Sequence, residues 1–532
     1  MMSYMDSDRS VAGTARHFER LAKQPDSPSL AYRLVLAIAG AKLFIHMLLS
    51  GRYGYFRDEL YYLDGGRHLA WGYVDYAPLI GLMARVALLL GGSLHMLRAF
   101  PAVAGALLVA LTMIMAWRLG GDRFAQGLAG LAILCVPIYL AGDSLFTMNS
   151  FERLFWMGCI YVLIRIIQTG ESRLWVWFGV IAGFGLMNKH STAFFGLAVV
   201  IGLLLTEQRR EFAKPWIWIG GVIALLIFAP NLIWQIAHHF PTLEDLHNVR
   251  VAHKNVEMPP LPFIKQQILV MGPGLLLFWL AGLWHFMFGR GRKYRALAWI
   301  FLAFFLTMML LHGKDYYVAP IYPMLFAGGA VAWESAFERW RITHDKLWPK
   351  ALVLVVTLLG GAVIAPLMLP ILSPEHYITY AAKLGFKPAK QEVGHESLLP
   401  QYFADQFGWP ELVQQVAEIY NSLPPDERAK TGILAGNYGE AGAINLFGPR
   451  YGLPQAYSRH QTYWYWGPPT ENYQNLIFLQ FSLEDVQDNC TTWQAVEHYN
   501  RYGMAEENTS IYLCRGVQFD LRKVWSHYKH WN

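Results

Sequence analysis

Leu79-Ile80-Gly81-Leu82-Met83-Ala84-Arg85-Val86-Ala87-Leu88-Leu89-Leu90 is the stretch whose reading sets the topology of this chain. It is apolar, but it is short, carries Arg85, and stops at Gly91-Gly92. A helix needs about 20 apolar residues to cross the hydrocarbon core. We therefore read Leu79–Leu90 as a helix lying at the interface, not as a span. Eleven other apolar stretches qualify as spans, near residues 30–50, 99–117, 124–141, 148–168, 174–188, 191–206, 215–236, 264–288, 297–311, 317–336 and 351–371. Lys and Arg should collect on alternate, cytoplasmic loops. With Leu79–Leu90 left out, they do: Arg16, Arg20 and Lys23, then Arg118 and Arg123, Arg173, Arg209, Arg210 and Lys214, Arg290 to Arg295, and Arg339, Arg341, Lys346 and Lys350 fall on one side. Counting it as a span would put most of these cations outside.

Composition agrees. Of 532 residues, 54% are hydrophobic and 15% charged, against about 25% charged in soluble domains, which argues against an ordinary soluble enzyme. No dense basic run appears, so nucleic acid is not an expected partner. Residues 372–532 hold 12 basic and 17 acidic side chains, and the remainder holds 32 and 21, so an acidic tail follows a basic membrane module. The expected organisation is a cytoplasmic segment 1–29, a transmembrane α-helical module 30–371 with a first outer loop 51–98, and an extracytoplasmic α/β domain 372–532. In that domain Gly432–Ala435 and Leu476–Phe481 read as strands and Asn437–Leu446 as a helix. Some thirty polar residues precede the first apolar run, so the N-terminus does not read as a cleavable signal peptide. Cys135 and Cys159 lie in apolar stretches, and no metal-binding spacing occurs. An extracytoplasmic tail would permit a Cys490–Cys514 disulfide, with two free thiols as the alternative.

The outer side then receives the polar residues that need explaining. Phe56-Arg57-Asp58-Glu59 places two carboxylates beside a bilayer, where charge is costly unless paired or used. Asp58 suits a helix N-cap or a general base that accepts a proton from an acceptor. Lys189, Lys314 and Arg250 suit a phosphate, and snorkelling to headgroups is the bland reading for each lysine. His68, Asp75, Tyr76, Asn149, His190 and Tyr316 flank these positions as candidate substrate contacts. Glu152-Arg153 reads as a neutralising pair within one helix. In the tail, Glu440, His460, Trp464 and Trp466 belong to a region dense in Tyr and Trp that suits the faces and hydroxyls of sugars, or simple packing. No phosphate-binding glycine loop, HExxH or GxSxG motif occurs, which argues against nucleotide-driven transport and serine hydrolysis.

These residues resemble bacterial members of glycosyltransferase family 39, the protein O-mannosyltransferase and aminoarabinose transferase group of the GT-C superfamily. The resemblance covers nearly the whole chain. It rests on Phe56–Glu59, Tyr73-Val74-Asp75-Tyr76-Ala77-Pro78, Ser144–Asn149, Asn188-Lys189-His190-Ser191, Gly313–Tyr317 with Pro320 and Tyr322-Pro323, and, in the tail, Asn437-Tyr438-Gly439-Glu440 and Trp464–Pro468. It implies a multi-pass protein of the bacterial inner membrane that moves a sugar, with inversion, from a polyprenyl-phosphate donor to an envelope lipid, glycan or protein. The family's Asp matches Asp58 as base, and its outer-loop Lys matches Lys189 as phosphate ligand. The reaction requires no cofactor and leaves room for a divalent cation. Tyr61 and Tyr76-Ala77 depart from the aminoarabinose branch, and Asn149 falls near the family's second acidic position, leaving Asp143 or Glu152 for that role. The rival class is a lipid or glycan transporter, for which mid-bilayer polar residues and inverted repeats would speak. Neither stands out.

Overall fold

A computed structural model describes residues 28–254, 256–339, 348–387, 396–504 and 507–531. Arg16, Arg20, Lys23, Arg341, Lys346 and nearly all of segment 1–29 lie outside the described residues. Every stretch expected to span is helical. By length and composition, five described helices can cross a membrane alone, or seven if each of two bent pairs is one span. The breaks follow the sequence. The stretch 124–141 is two helices, Arg123–Cys135 and Pro137–Gly142, because Pro137 lacks the N–H that would continue the first. The stretch 264–288 bends by 89° at Gly272, whose φ of 92° is open to glycine, followed by Pro273. Of Leu79–Leu90, all but Leu90 lies in the 12-residue helix Pro78–Leu89, which buries Ile80, Ala84 and Ala87 and exposes Leu82 and Leu89.

The connections sort to two ends of the bundle. At one end the Trp117 indole donates to Pro28 O (2.5 Å), Gln168 to Tyr294 Oη (2.8 Å), Trp175 to Glu211 (3.1 Å), and Glu334 accepts the Asp122 N–H (2.8 Å). These are the loops expected to share the cationic side. At the other end Glu59 accepts the Phe146 N–H (2.9 Å), Asn188 donates to Met148 O (3.0 Å), and Asn231 links His190 (2.9 Å) to Trp71 O (2.8 Å). The C-terminal region sits on this second end.

That region is built on a five-stranded sheet in the order β2-β1-β3-β5-β4, with β1 Thr431–Ala435, β2 Ala456–Ser458, β3 Asn475–Leu479, β4 Cys490–Val496 and β5 Ile511–Val517. β1 is parallel to β2 and β3, while β5 is antiparallel to β3 and β4. Cys490 on β4 and Cys514 on β5 form a disulfide. The helix Tyr438–Phe447 starts where Asn437 accepts the Gly439 N–H (3.0 Å), an Asn cap that satisfies a donor the helix leaves over. The first loop and the tail share one apolar core: Leu60, Tyr62, Leu63 and Tyr76 pack with Leu412, Val413, Ile444, Tyr463 and Ile477.

Candidate active site

The first loop supplies the helix Arg57–Arg67. Its cap is made by Glu59, not Asp58: the Glu59 carboxylate accepts the Phe56 N–H (2.9 Å) from the third helical position. Both Glu59 oxygens are also gripped by Arg98, at 3.0 and 2.9 Å, and one takes the Phe146 N–H. Fully buried and encircled by donors, Glu59 is a brace. The expected catalytic role for it gives way to this structural one. Asp58, one residue earlier and half-buried, accepts a hydrogen bond from the Tyr438 hydroxyl of the tail (2.9 Å).

Asp75 faces the same junction. Tyr61 Oη lies 2.8 Å from Asp75 Oδ1 and 2.7 Å from Thr462 Oγ1. Desolvation, together with the nearby Asp245 and Asp58 carboxylates, pushes the Asp75 carboxyl well above the usual range, although the Tyr61 hydrogen bond opposes this. Asp245, on helix Pro241–Val251, is raised chiefly by burial and accepts from Gln461 (2.9 Å). Tyr76 is buried, stacked on Tyr73 with centroids 4.3 Å apart, and His68 stacks on Trp466 at 4.5 Å.

Around Lys189, on the same end, the ammonium donates to Asn149 Oδ1 (2.7 Å) and Glu152 Oε2 (3.2 Å) and lies 4.8 Å from the Tyr317 ring centroid. Ser191 donates to the other Glu152 oxygen. An ammonium has three N–H donors, and with its side chain 16% exposed Lys189 retains capacity for a further acceptor. Tyr316 sits 6.0 Å from the same ammonium, on the short 3-10 helix Asp315–Ile321 that Lys314 precedes. Glu152 and Arg153 do not neutralise each other. Adjacent helical residues point about 100° apart, and Arg153 instead pairs with Asp143 at 2.7 Å. Lys42 takes the other Asp143 oxygen at 2.8 Å, so Asp143 is locked between two cations.

Of the remaining candidates only His460 touches this group, through Tyr438. Arg250 is exposed near the end of helix Pro241–Val251. Glu440 faces a small cavity in the tail lined by Trp409, Leu412 and His498. His460 stacks behind Tyr438 at 5.1 Å, and the Trp464 indole donates to Trp525 O (2.8 Å), which makes Trp464 a packing residue. Among the described residues, no group of three His, Cys, Asp or Glu side chains is arranged to hold a metal ion. Sequence reasoning missed Arg98, Lys42 and Tyr438. A cation in an apolar run marks the first two. Tyr438 belongs to the Asn437–Glu440 segment, where no local pattern ties it to Asp58.

The chain shares its fold with ArnT, and one stretch of it matches a mannosyltransferase profile. The sequence profile of the dolichyl-phosphate-mannose-protein mannosyltransferases matches residues 75–234. The crystal structure of ArnT from Cupriavidus metallidurans bound to undecaprenyl phosphate superposes with a TM-score of 0.58 at 14% identity, covering 91% of this chain and 98% of that one. Its apo form gives 0.57 at 15% identity over the same shares. The apo oligosaccharyltransferase of Archaeoglobus fulgidus matches more loosely, with a TM-score of 0.47 at 12% identity over 77% and 63% of the two chains. No curated protein matches the sequence at a significant level.

Proposed function

We propose that this protein is a polyprenyl-phosphate-sugar glycosyltransferase working at the outer membrane face. The observation that carries the reading is the gathering of one half-buried carboxylate, Asp58, and one ammonium with spare donor capacity, Lys189, at the tail-bearing end of a GT-C bundle. An acceptor oxygen or nitrogen attacks the anomeric carbon from the face opposite the phosphate. The bond from that carbon to the phosphate oxygen breaks, and polyprenyl phosphate leaves with the electron pair. Asp58 takes the acceptor proton, and Lys189, with Lys314 close by in sequence to Tyr316, neutralises the phosphate. Asp75 and Tyr61 line the acceptor side. The undecaprenyl phosphate bound by the C. metallidurans ArnT supports a lipid phosphate as the shared ligand.

Two experiments test this. Purified protein should bind synthetic polyprenyl phosphate, and Lys189→Met should weaken binding by roughly tenfold or more, the worth of one charge-assisted contact. Absence of binding by the unaltered protein would overturn the reading. For the orientation, Arg210→Cys and Lys430→Cys are placed singly in a chain lacking Cys135 and Cys159. An impermeant thiol reagent on intact cells should label only the second, and labelling of position 210 alone would invert the topology.

A further inference from the structure

The Asp58 carboxylate is not held by the membrane module alone. The Tyr438 hydroxyl that donates to it comes from a residue 380 positions later in the chain. Its ring is fixed on three sides: stacked on Tyr61 at 4.6 Å and 20°, stacked on His460 at 5.1 Å and 6°, and faced by the Arg57 guanidinium at 5.5 Å. Tyr438 also opens the capped helix Tyr438–Phe447, so a regular element sets its position. Close by, Tyr61 and Thr462 tie Asp75 to the tail in the same manner, and Thr462 Oγ1 accepts the Val74 N–H at 3.0 Å.

We propose that Tyr438 is a positioning residue for the reaction: the soluble domain supplies the hydrogen bond that aims the Asp58 carboxylate at the acceptor, so the catalytic site is shared between the bundle and the tail. This rests on Asp58 being the base. A phenol donating to a carboxylate restricts its rotation and favours its ionised form. Among the described residues Arg57 and Tyr62 on its own helix and Asp75 on the following loop act electrostatically on Asp58, and His460 of the tail stacks on the Tyr438 ring; all of these remain when the hydroxyl is removed.

Tyr438→Phe keeps the ring and its three contacts. It should lower kcat roughly tenfold, the scale of one hydrogen bond to a charged group, while leaving the KM for the lipid-linked donor unchanged. Because the lost bond favoured the ionised base, the acid limb of the kcat profile should move to higher pH. A tail that only packs against the first loop would alter the melting temperature without moving that limb. Replacing Tyr438 with difluorotyrosine, a stronger donor of nearly the same shape, should move the limb to lower pH and serves if the Phe variant folds poorly. An unchanged kcat and acid limb in both variants, with Asp58→Asn inactive, overturns this inference alone. If Asp58→Asn stays active, the assignment of the base fails instead.

Discussion

Asp58→Asn is expected to abolish sugar transfer while leaving the fold and donor binding intact. The substitution is nearly isosteric, and the Asn side-chain oxygen can still accept the Tyr438 hydroxyl that now lies 2.9 Å from Asp58 Oδ1. What disappears is the ability to take a proton as the acceptor attacks. General-base groups contribute about 10²- to 10⁴-fold to rate, so turnover should fall by at least the lower figure. In the proposed mechanism Lys189, not Asp58, neutralises the lipid phosphate, so binding of polyprenyl phosphate should remain within about twofold. Product formation at the wild-type rate would remove Asp58 from the mechanism. Parallel loss of binding and turnover would point to a folding defect, which the melting temperature reads separately.

Arg98→Leu should do its damage at the level of folding. The Arg98 guanidinium holds both Glu59 oxygens, the carbonyls of Ser50 and Gly54 at 2.8 Å each, and Gln406 of the tail at 3.1 Å. Its exposure is 2% and that of Glu59 is zero. Removing one partner of such a pair strands the other charge away from water, at a cost of about 3–5 kcal/mol, comparable with the whole stability of many domains. Arg98→Leu should therefore yield little folded protein in detergent. Arg98→Leu with Glu59→Leu, which removes both charges, should recover much of the lost melting temperature. A single variant as stable as wild type would show that Glu59 is not dependent on this pair.

The apolar runs were legible because a span is a local property of some twenty residues, and Asp58 and Lys189 stand out as candidates because charges are conspicuous beside such runs. The breaks at Pro137 and Gly272 were present in the sequence but masked by unbroken hydrophobicity on either side. The roles of neighbouring residues were harder to read. Asp58 and Glu59 are adjacent and chemically alike. Only Arg98, 39 residues from Glu59, distinguishes the two, by pairing with Glu59 alone. Glu152 and Arg153 look like a pair in one dimension, yet the helix turns them to different partners, Lys189 and Asp143. The rule that adjacent helical residues do not face each other would have found this. Tyr438 could not be assigned to Asp58 by any local pattern.

The 380-residue separation between those two side chains also orders events in time. The first loop is made early, whereas its partner leaves the ribosome 380 residues later. Contacts so distant along the chain close slowly and late in folding. A chain still being inserted therefore carries Asp58 without the Tyr438 hydroxyl that donates to it in the finished fold. On the proposed role of Tyr438, sugar transfer begins only once the sheet and its capped helix have docked, so any defect that delays maturation of the C-terminal region should leave an inserted but idle bundle.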